Sequence, residues 1–161
     1  VAPAQPAAGK TGWVGSGNDW AYYKDGKQVK DQWKLIGGEW YHFEKSGKMT
    51  NTKWFQDADG TWYMLNQSHK GEYGAMLTGW QKDGGEWYYF AKSGAMQSGW
   101  VKDGAWYLLN TAHDGTFGKM LTGWQQVGGK WYYMDASGAM ASNTWVGRYW
   151  VDGSGVWTAT R

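Results

Sequence analysis

Tryptophan and tyrosine carry most of the chemistry this chain can offer. In residues 79–100, GWQKDGGEWYYFAKSGAMQSGW, three tryptophans, two tyrosines and a phenylalanine are threaded between glycines and charges. Rings held at fixed positions stack on flat partners, whether the faces of sugars or the bases of a single strand. Other chemistries find no support in residue type or spacing. The chain has no cysteine, which excludes disulfides, thiolate metal ligands and a thiol nucleophile. His42, His69 and His113 are scattered, with no acid or hydroxyl partner at catalytic spacing. The acidic residues lie mostly in turns, where Asp before Gly favours the turn conformation, so paired-carboxylate hydrolysis is not indicated. The single short acidic loop around HDG offers too few ligands for a cation. A net charge of +2 with scattered charges leaves no basic patch for nucleic acid. The expectation is a binding protein without catalytic residues, metal or cofactor.

The elements that must hold these rings can be read from the same composition. Apolar content is supplied largely by 15 Trp and 11 Tyr, which argues against an ordinary aliphatic core. Glycine at 26 residues against 2 prolines points to many tight turns, since glycine takes the positive φ that short hairpin loops demand. A leading Trp recurs at Trp13, Trp33, Trp54, Trp80, Trp100, Trp124 and Trp145, at intervals of 20, 21, 26, 20, 24 and 21 residues. Each leading Trp is followed by a polar glycine turn, such as LIGGE, KDGGE or QVGGK, and then by a second aromatic cluster, WYHF, WYML, WYYF, WYLL or WYYM. This grammar is strand, turn, strand. A polar glycine-containing link ending in methionine, as in EKSGKM, AKSGAM and DASGAM, leads to the next unit.

Alternation along a strand assigns the faces. In EWYYF, Trp87 and Tyr89 share one face and Tyr88 and Phe90 the other, and pairing across the turn sets Trp80 beside Tyr89 on the Trp87 face. A lone hairpin is barely stable in water, so each must stack on its neighbours, the Trp face of one against the Tyr face of the next. The expected fold is therefore all-β, a solenoid of seven tandem β-hairpin repeats over residues 12–161. Both ends fit this direction. The first unit has Ala21 where later units carry Tyr41, Tyr63, Tyr88, Tyr107 and Tyr132, and the last has Arg148 where a second Trp is due. Residues 1–11, which hold both prolines, are expected to be a linker from a missing N-terminal domain, and the lack of an initiator Met suits a released module. No apolar run approaches the roughly 18 residues of a membrane span, so surface attachment must come by binding.

The pattern GW…G-x-WYY…SGAM…GW resembles the choline-binding repeat family, the cell-wall-binding modules of pneumococcal-type surface proteins, autolysins and phage lysins. The resemblance implies a left-handed β-solenoid, extracellular on the bacterial cell wall, secreted or phage-released. It also implies ligand sites between consecutive repeats, built from two Trp of one hairpin and a Tyr of the next, often with a nearby Met. The ligand implied is choline, presented as phosphocholine on teichoic or lipoteichoic acid. A quaternary ammonium has no proton to donate, whereas aromatic faces give it negative potential and apolar contact together; choline is itself a standard example of cation–π recognition. The residues that match are Trp13, Trp20 and Tyr41; Trp33, Trp40 and Tyr63; Trp54, Trp62 and Tyr88; Trp80, Trp87 and Tyr107; Trp100, Trp106 and Tyr132; and Trp124, Trp131 and Tyr149. Met49, Met76, Met96, Met120 and Met140 are the expected fourth walls, with Trp157 in that role at the last interface. Phe43, Leu65, Phe90, Leu109 and Met134 read as packing residues.

Two other classes use similar sequences. A glucan- or polysaccharide-binding solenoid would need the same tryptophans for stacking on sugars, and a structural or dimerising stalk would keep the core without the two-Trp face. Met76 and Met120 each stand 14 residues after the second Trp of their unit, against 9 in the others. These longer loops share Asn66 with Asn110, His69 with His113 and Tyr73 with Phe117, and are expected to pack as plain loops, an extra wall being the alternative. The terminal WVDGSGVW places Trp150 and Trp157 on a hairpin with no successor; a monomer is expected, with a C-terminal homodimer as the alternative and Arg148 as a possible solubilising cap.

Overall fold

The computed structural model describes residues 9–161, and most of the expected linker lies outside them. Its last residues lie on the first hairpin: Lys10 carbonyl accepts from the Gly26 amide at 2.8 Å, and Thr11 Oγ1 accepts from the Asp25 amide at 2.9 Å. Among the described residues there are strands and turns but no helix, hence none long and apolar enough to cross a membrane. The chain divides into two compact units, one reaching Thr78 and including Ser93–Ala95, the other made of Gly79–Lys92 and Met96–Arg161.

The first unit holds three hairpins: β1 (Gly12–Ser16) with β2 (Asp19–Lys24), extended by the short β3 (Lys27–Gln28); β4 (Gln32–Ile36) with β5 (Glu39–Phe43); and β6 (Trp54–Gln56) with β7 (Trp62–Met64). The second holds four: β8 (Gly79–Asp83) with β9 (Glu86–Phe90), β10 (Gly99–Asp103) with β11 (Ala105–Leu109), β12 (Gly123–Val127) with β13 (Lys130–Met134), and β14 (Thr144–Val146) with β15 (Tyr149–Val151), to which β16 (Trp157–Thr160) is added. The fold is thus an all-β solenoid of seven tandem hairpins. The third strands at the two ends, β3 and β16, go beyond the strand–turn–strand grammar.

Register follows from the turns. In β8–β9 the loop is Gly84–Gly85, with φ of +58° and +81°, the pair of left-handed residues a tight hairpin loop requires. This sets Trp80 opposite Tyr89 and Lys82 opposite Trp87, so both tryptophans share one face. The same count sets Trp33 opposite His42 and Leu35 opposite Trp40, and Trp124 opposite Tyr133 and Gln126 opposite Trp131.

Each unit has a thin core at the ends of its second strands. Phe43, Leu65, Phe90, Leu109 and Met134 are all fully buried and each bridges the methionine of its own link: Met49, Met76, Met96, Met120 and Met140 respectively. The link methionine is also tied to the hairpin before it, because its amide donates to the carbonyl of that hairpin's second Trp. These bonds are Met49 to Trp20 at 2.7 Å, and Met76 to Trp40, Met120 to Trp87 and Met140 to Trp106 at 2.8 Å. The thioethers then seat on link glycines one repeat further on: Met49 on Gly74, Met76 on Gly94, Met96 on Gly118, Met120 on Gly138 and Met140 on Gly155. A Cβ on any of these glycines would collide with the seated methionine. Stacking is therefore fixed by backbone bonds to the hairpin before and by a sulfur contact to the link after.

Candidate functional site: aromatic cages between hairpins

Each cage starts from a corner made by two tryptophans of one hairpin. Trp13 and Trp20 meet at 6.4 Å and 88°, Trp54 and Trp62 at 6.3 Å and 84°, Trp100 and Trp106 at 6.5 Å and 90°. The two residues stand two pairs apart on one face of the ribbon, which brings their rings together. The tyrosine of the following hairpin closes the corner, its ring set against the leading Trp at 4.9 Å for Trp13 with Tyr41, Trp80 with Tyr107 and Trp100 with Tyr132. The distances are 4.8 Å for Trp33 with Tyr63 and 5.6 Å for Trp124 with Tyr149. Of the third expected set, Trp54 and Trp62 belong to the first unit and Tyr88 to the second.

Cavities open at three of these sets. One of about 290 Å³ is walled by Trp124, Trp131, Tyr149 and Trp157, so the C-terminal Trp157 stands where other cages have methionine. Another, of about 250 Å³, is walled by Trp80, Trp87, Tyr107, Met120 and Ser137. The third, about 360 Å³, is walled by Trp13, Trp20, Tyr41 and Met49 together with His69, Gly71 and Tyr73. The second tryptophans, Trp40, Trp87, Trp106 and Trp131, keep roughly 40% of their surface exposed, which leaves the cages open to solvent.

His69 and Tyr73 line this cavity, which favours the extra wall, the alternative in the sequence reading, over plain loop packing. The loop crosses back to the first hairpin, where His69 Nε2 lies 2.8 Å from Asn18 Oδ1 and the imidazole stacks on Tyr73 at 3.9 Å and 18°. Asn66 holds the loop shape: its carbonyl accepts from the Gly74 amide, its own amide donates to the Ala75 carbonyl, and its Oδ1 accepts from the Ser68 amide. In the second long loop His113 stacks on Phe117 at 4.1 Å and 13° in the same way. The shared Asn, His and aromatic of the two loops were the visible signal. His42 also departs from expectation, since it has a hydroxyl partner: its Nδ1 lies 2.7 Å from Oγ1 of the buried Thr50. It packs between Trp33 and Phe55, and burial holds its pKa below the ordinary 6.5 despite Asp57, Asp31 and Glu44.

Electrostatics around the cages favour a cation. Burial raises the Tyr41 phenol above its usual pKa, with Glu39 and Glu72 adding to the effect, and burial with Asp57 and Asp59 does the same for Tyr63, so both rings stay neutral. The indole N–H of Trp80 donates to Asp103 Oδ2 at 2.8 Å and that of Trp33 to Asp57 Oδ2 at 3.0 Å, which fixes two leading rings and brings a carboxylate to the rim. The rings already attract cations of the chain itself: Lys82 Nζ stands 5.7 Å from the Trp87 ring, Lys102 Nζ 5.7 Å from Trp106, and the Arg161 guanidinium 4.5 Å from Trp145. Arg161 thus covers the exposed Trp145. No group of three or more metal-ligating side chains occurs among the described residues.

A choline-binding repeat model matches residues 77–116, and a cell wall binding repeat model matches residues 31–49, 52–68 and 122–140. No curated protein sequence matches the chain. Among solved structures, choline binding protein F from Streptococcus pneumoniae, determined in the presence of a peptidoglycan analogue, is similar at 43% identity and a TM-score of 0.79, over 93% of this chain and 47% of that one. CbpJ from Streptococcus pneumoniae TIGR4 is similar at 42% identity and a TM-score of 0.78, over 92% of this chain and 48% of that one. The multimodular pneumococcal cell wall endolysin from phage Cp-1, complexed with choline, shows 33% identity and a TM-score of 0.53, over 86% of this chain and 38% of that one. The chain spans less than half the length of each of these solved chains. Repeat models distributed along the chain, and cages built hairpin by hairpin from the residues that define the repeat, lead to one assignment. The chain belongs to the choline-binding repeat family, whose repeats form non-catalytic binding modules.

Proposed function

We propose that the chain is a multivalent module that holds the choline groups of teichoic or lipoteichoic acid in its inter-repeat cages, and so carries an attached domain to the bacterial surface outside the cell. The observation that carries this reading is the cage itself: two indoles of one hairpin, a tyrosine edge of the next and a thioether or third indole around an open cavity of about 250–360 Å³. Such a pocket has aromatic faces on several sides and few directed donors, which suits a trimethylammonium better than a group that must be hydrogen-bonded. The residues proposed to bind are Trp13, Trp20, Tyr41 and Met49 in one cage and Trp80, Trp87, Tyr107 and Met120 in another, with Trp124, Trp131, Tyr149 and Trp157 in a third. The Trp33 and Trp100 corners join them through Tyr63 and Tyr132. One small open cage reaches only about millimolar affinity once ordering costs are met, so firm attachment comes from several cages engaging one polymer.

Retention on a tertiary-amine resin with elution by free choline tests this directly. The expected result is elution by choline at millimolar concentration, with a raised melting temperature in its presence. Retention on dextran without retention on the amine resin would replace the choline reading with one of stacking on sugars.

A further inference from the structure

The cage of Trp80, Trp87, Tyr107 and Met120 does not end at its aromatic walls. A second cavity of about 460 Å³ abuts it and shares Trp87 and Met120 with it; its remaining lining includes Glu86, Lys119, Thr122 and Gln125. The two spaces differ in character, one aromatic and the other polar with a cation in it. Lys119 immediately precedes Met120 and its Nζ lies 3.1 Å from Oε1 of Glu86, which immediately precedes Trp87. Paired with Glu86, the ammonium adds no net charge beside the cage, and its remaining N–H groups can donate to an anion carried by the same ligand. The lysine is not a general feature of the link, since Ala75, Ala95 and Ala139 stand before the methionine in three others. It recurs once, with its carboxylate: Lys48 precedes Met49 and pairs at 3.5 Å with Asp19, which precedes Trp20. That is the cage of Trp13, Trp20 and Tyr41.

We propose that the polar cleft beside the Trp80, Trp87 and Tyr107 cage is a phosphate subsite in which Lys119 is the anion-binding residue, so that this cage takes a choline phosphate ester as a unit. The inference rests on the reading of the cages as choline sites. A choline phosphate ester carries a quaternary ammonium and a phosphate a few bonds apart, and the site presents the matching pair: rings and the Glu86 carboxylate for the first, the Lys119 ammonium for the second. Lysine suits this role because it meets phosphate as a flexible point charge with three donors. Lys48 and Asp19 give the first cage the same preference, and the cages whose link carries alanine take the ammonium alone.

Methionine methyl groups labelled with carbon-13 report each cage separately, since Met49, Met76, Met120 and Met140 are placed at different hairpin interfaces; Met→Leu variants assign them. The full chain is titrated with choline, with phosphocholine and with inorganic phosphate. The expected result is tighter binding of phosphocholine than of choline, by about threefold or more, at Met120 and Met49 and not at Met76 or Met140. Lys119→Gln abolishes the preference at Met120, leaves choline binding there undiminished and leaves Met49 as it was. Lys119→Arg retains the preference, and Lys82→Gln, which alters the cation over Trp87 rather than the cleft, does not remove it. Equal affinity for the two ligands at Met120, or a preference that survives Lys119→Gln, overturns the subsite while leaving the choline cages intact. If choline moves none of the four methyl groups, the choline reading fails and the subsite with it.

Discussion

Trp106 and Tyr107 are adjacent in β11 and serve different cages, because successive strand residues point to opposite faces. Tyr107 closes the corner of Trp80, whereas Trp106 forms the corner with Trp100 that Tyr132 closes. Tyr107→Ala is therefore expected to remove the cage of Trp80 and Trp87 and spare that of Trp100, and Trp106→Ala to do the reverse. A titration followed by tryptophan fluorescence should count one site lost in each variant, and a ligand-bound structure should show different vacancies. Both side chains are partly exposed, so the loss of folding stability should be about 2 kcal/mol, below that for a fully buried ring. If both variants empty the same cage, the assignment of faces is wrong.

At the level of elements, the loop of residues 66–75 shows what the repeat pattern conceals. His69 and Tyr73 wall a cage whose tryptophans belong to the first hairpin and whose tyrosine belongs to the second. His69→Ala and Tyr73→Ala should each weaken choline at that cage about two- to fivefold, the equivalent of one partly exposed aromatic contact. The Met49 methyl signal should report the loss while that of Met120 stays unchanged; an unaltered affinity at Met49 would return the loop to a packing role. The hairpins and their faces were legible in the sequence because alternation and glycine turns act within about ten residues. The destination of this loop was not. His69 meets Asn18 across 51 residues, a distance set by how hairpins stack and not by any local preference. The strands β3 and β16 also escaped. Each pairs with the second strand of its own hairpin, and Lys27–Gln28 is too short to show alternation.

For the whole molecule, contacts that run between neighbouring hairpins predict limited cooperativity. The first and second units each carry their own buried column, so thermal unfolding should show a calorimetric enthalpy larger than the van't Hoff value. On the proposed function, choline held only by folded cages should raise the transition by mass action, by roughly 2.7 kcal/mol for each cage at a hundredfold excess over its dissociation constant. Differential scanning calorimetry across a choline series measures both. A single two-state transition without choline would show that coupling extends beyond neighbours.

The seating of each methionine on a glycine one repeat further on has a consequence for how such chains lengthen. Trp80 and Trp87 come from one repeat, Tyr107 and Met120 from the next, and the glycine beneath Met120, Gly138, from the one after. This cage is thus a product of three successive copies, and no single copy contains one. Duplicating a repeat inside the array creates a whole new cage without altering any existing residue, whereas removing the last copy disturbs two cages at once, one through its tyrosine and one through its glycine. Copy number can therefore change in the interior of the array without new sequence, because each added copy meets its neighbours through the same tyrosine, methionine and glycine.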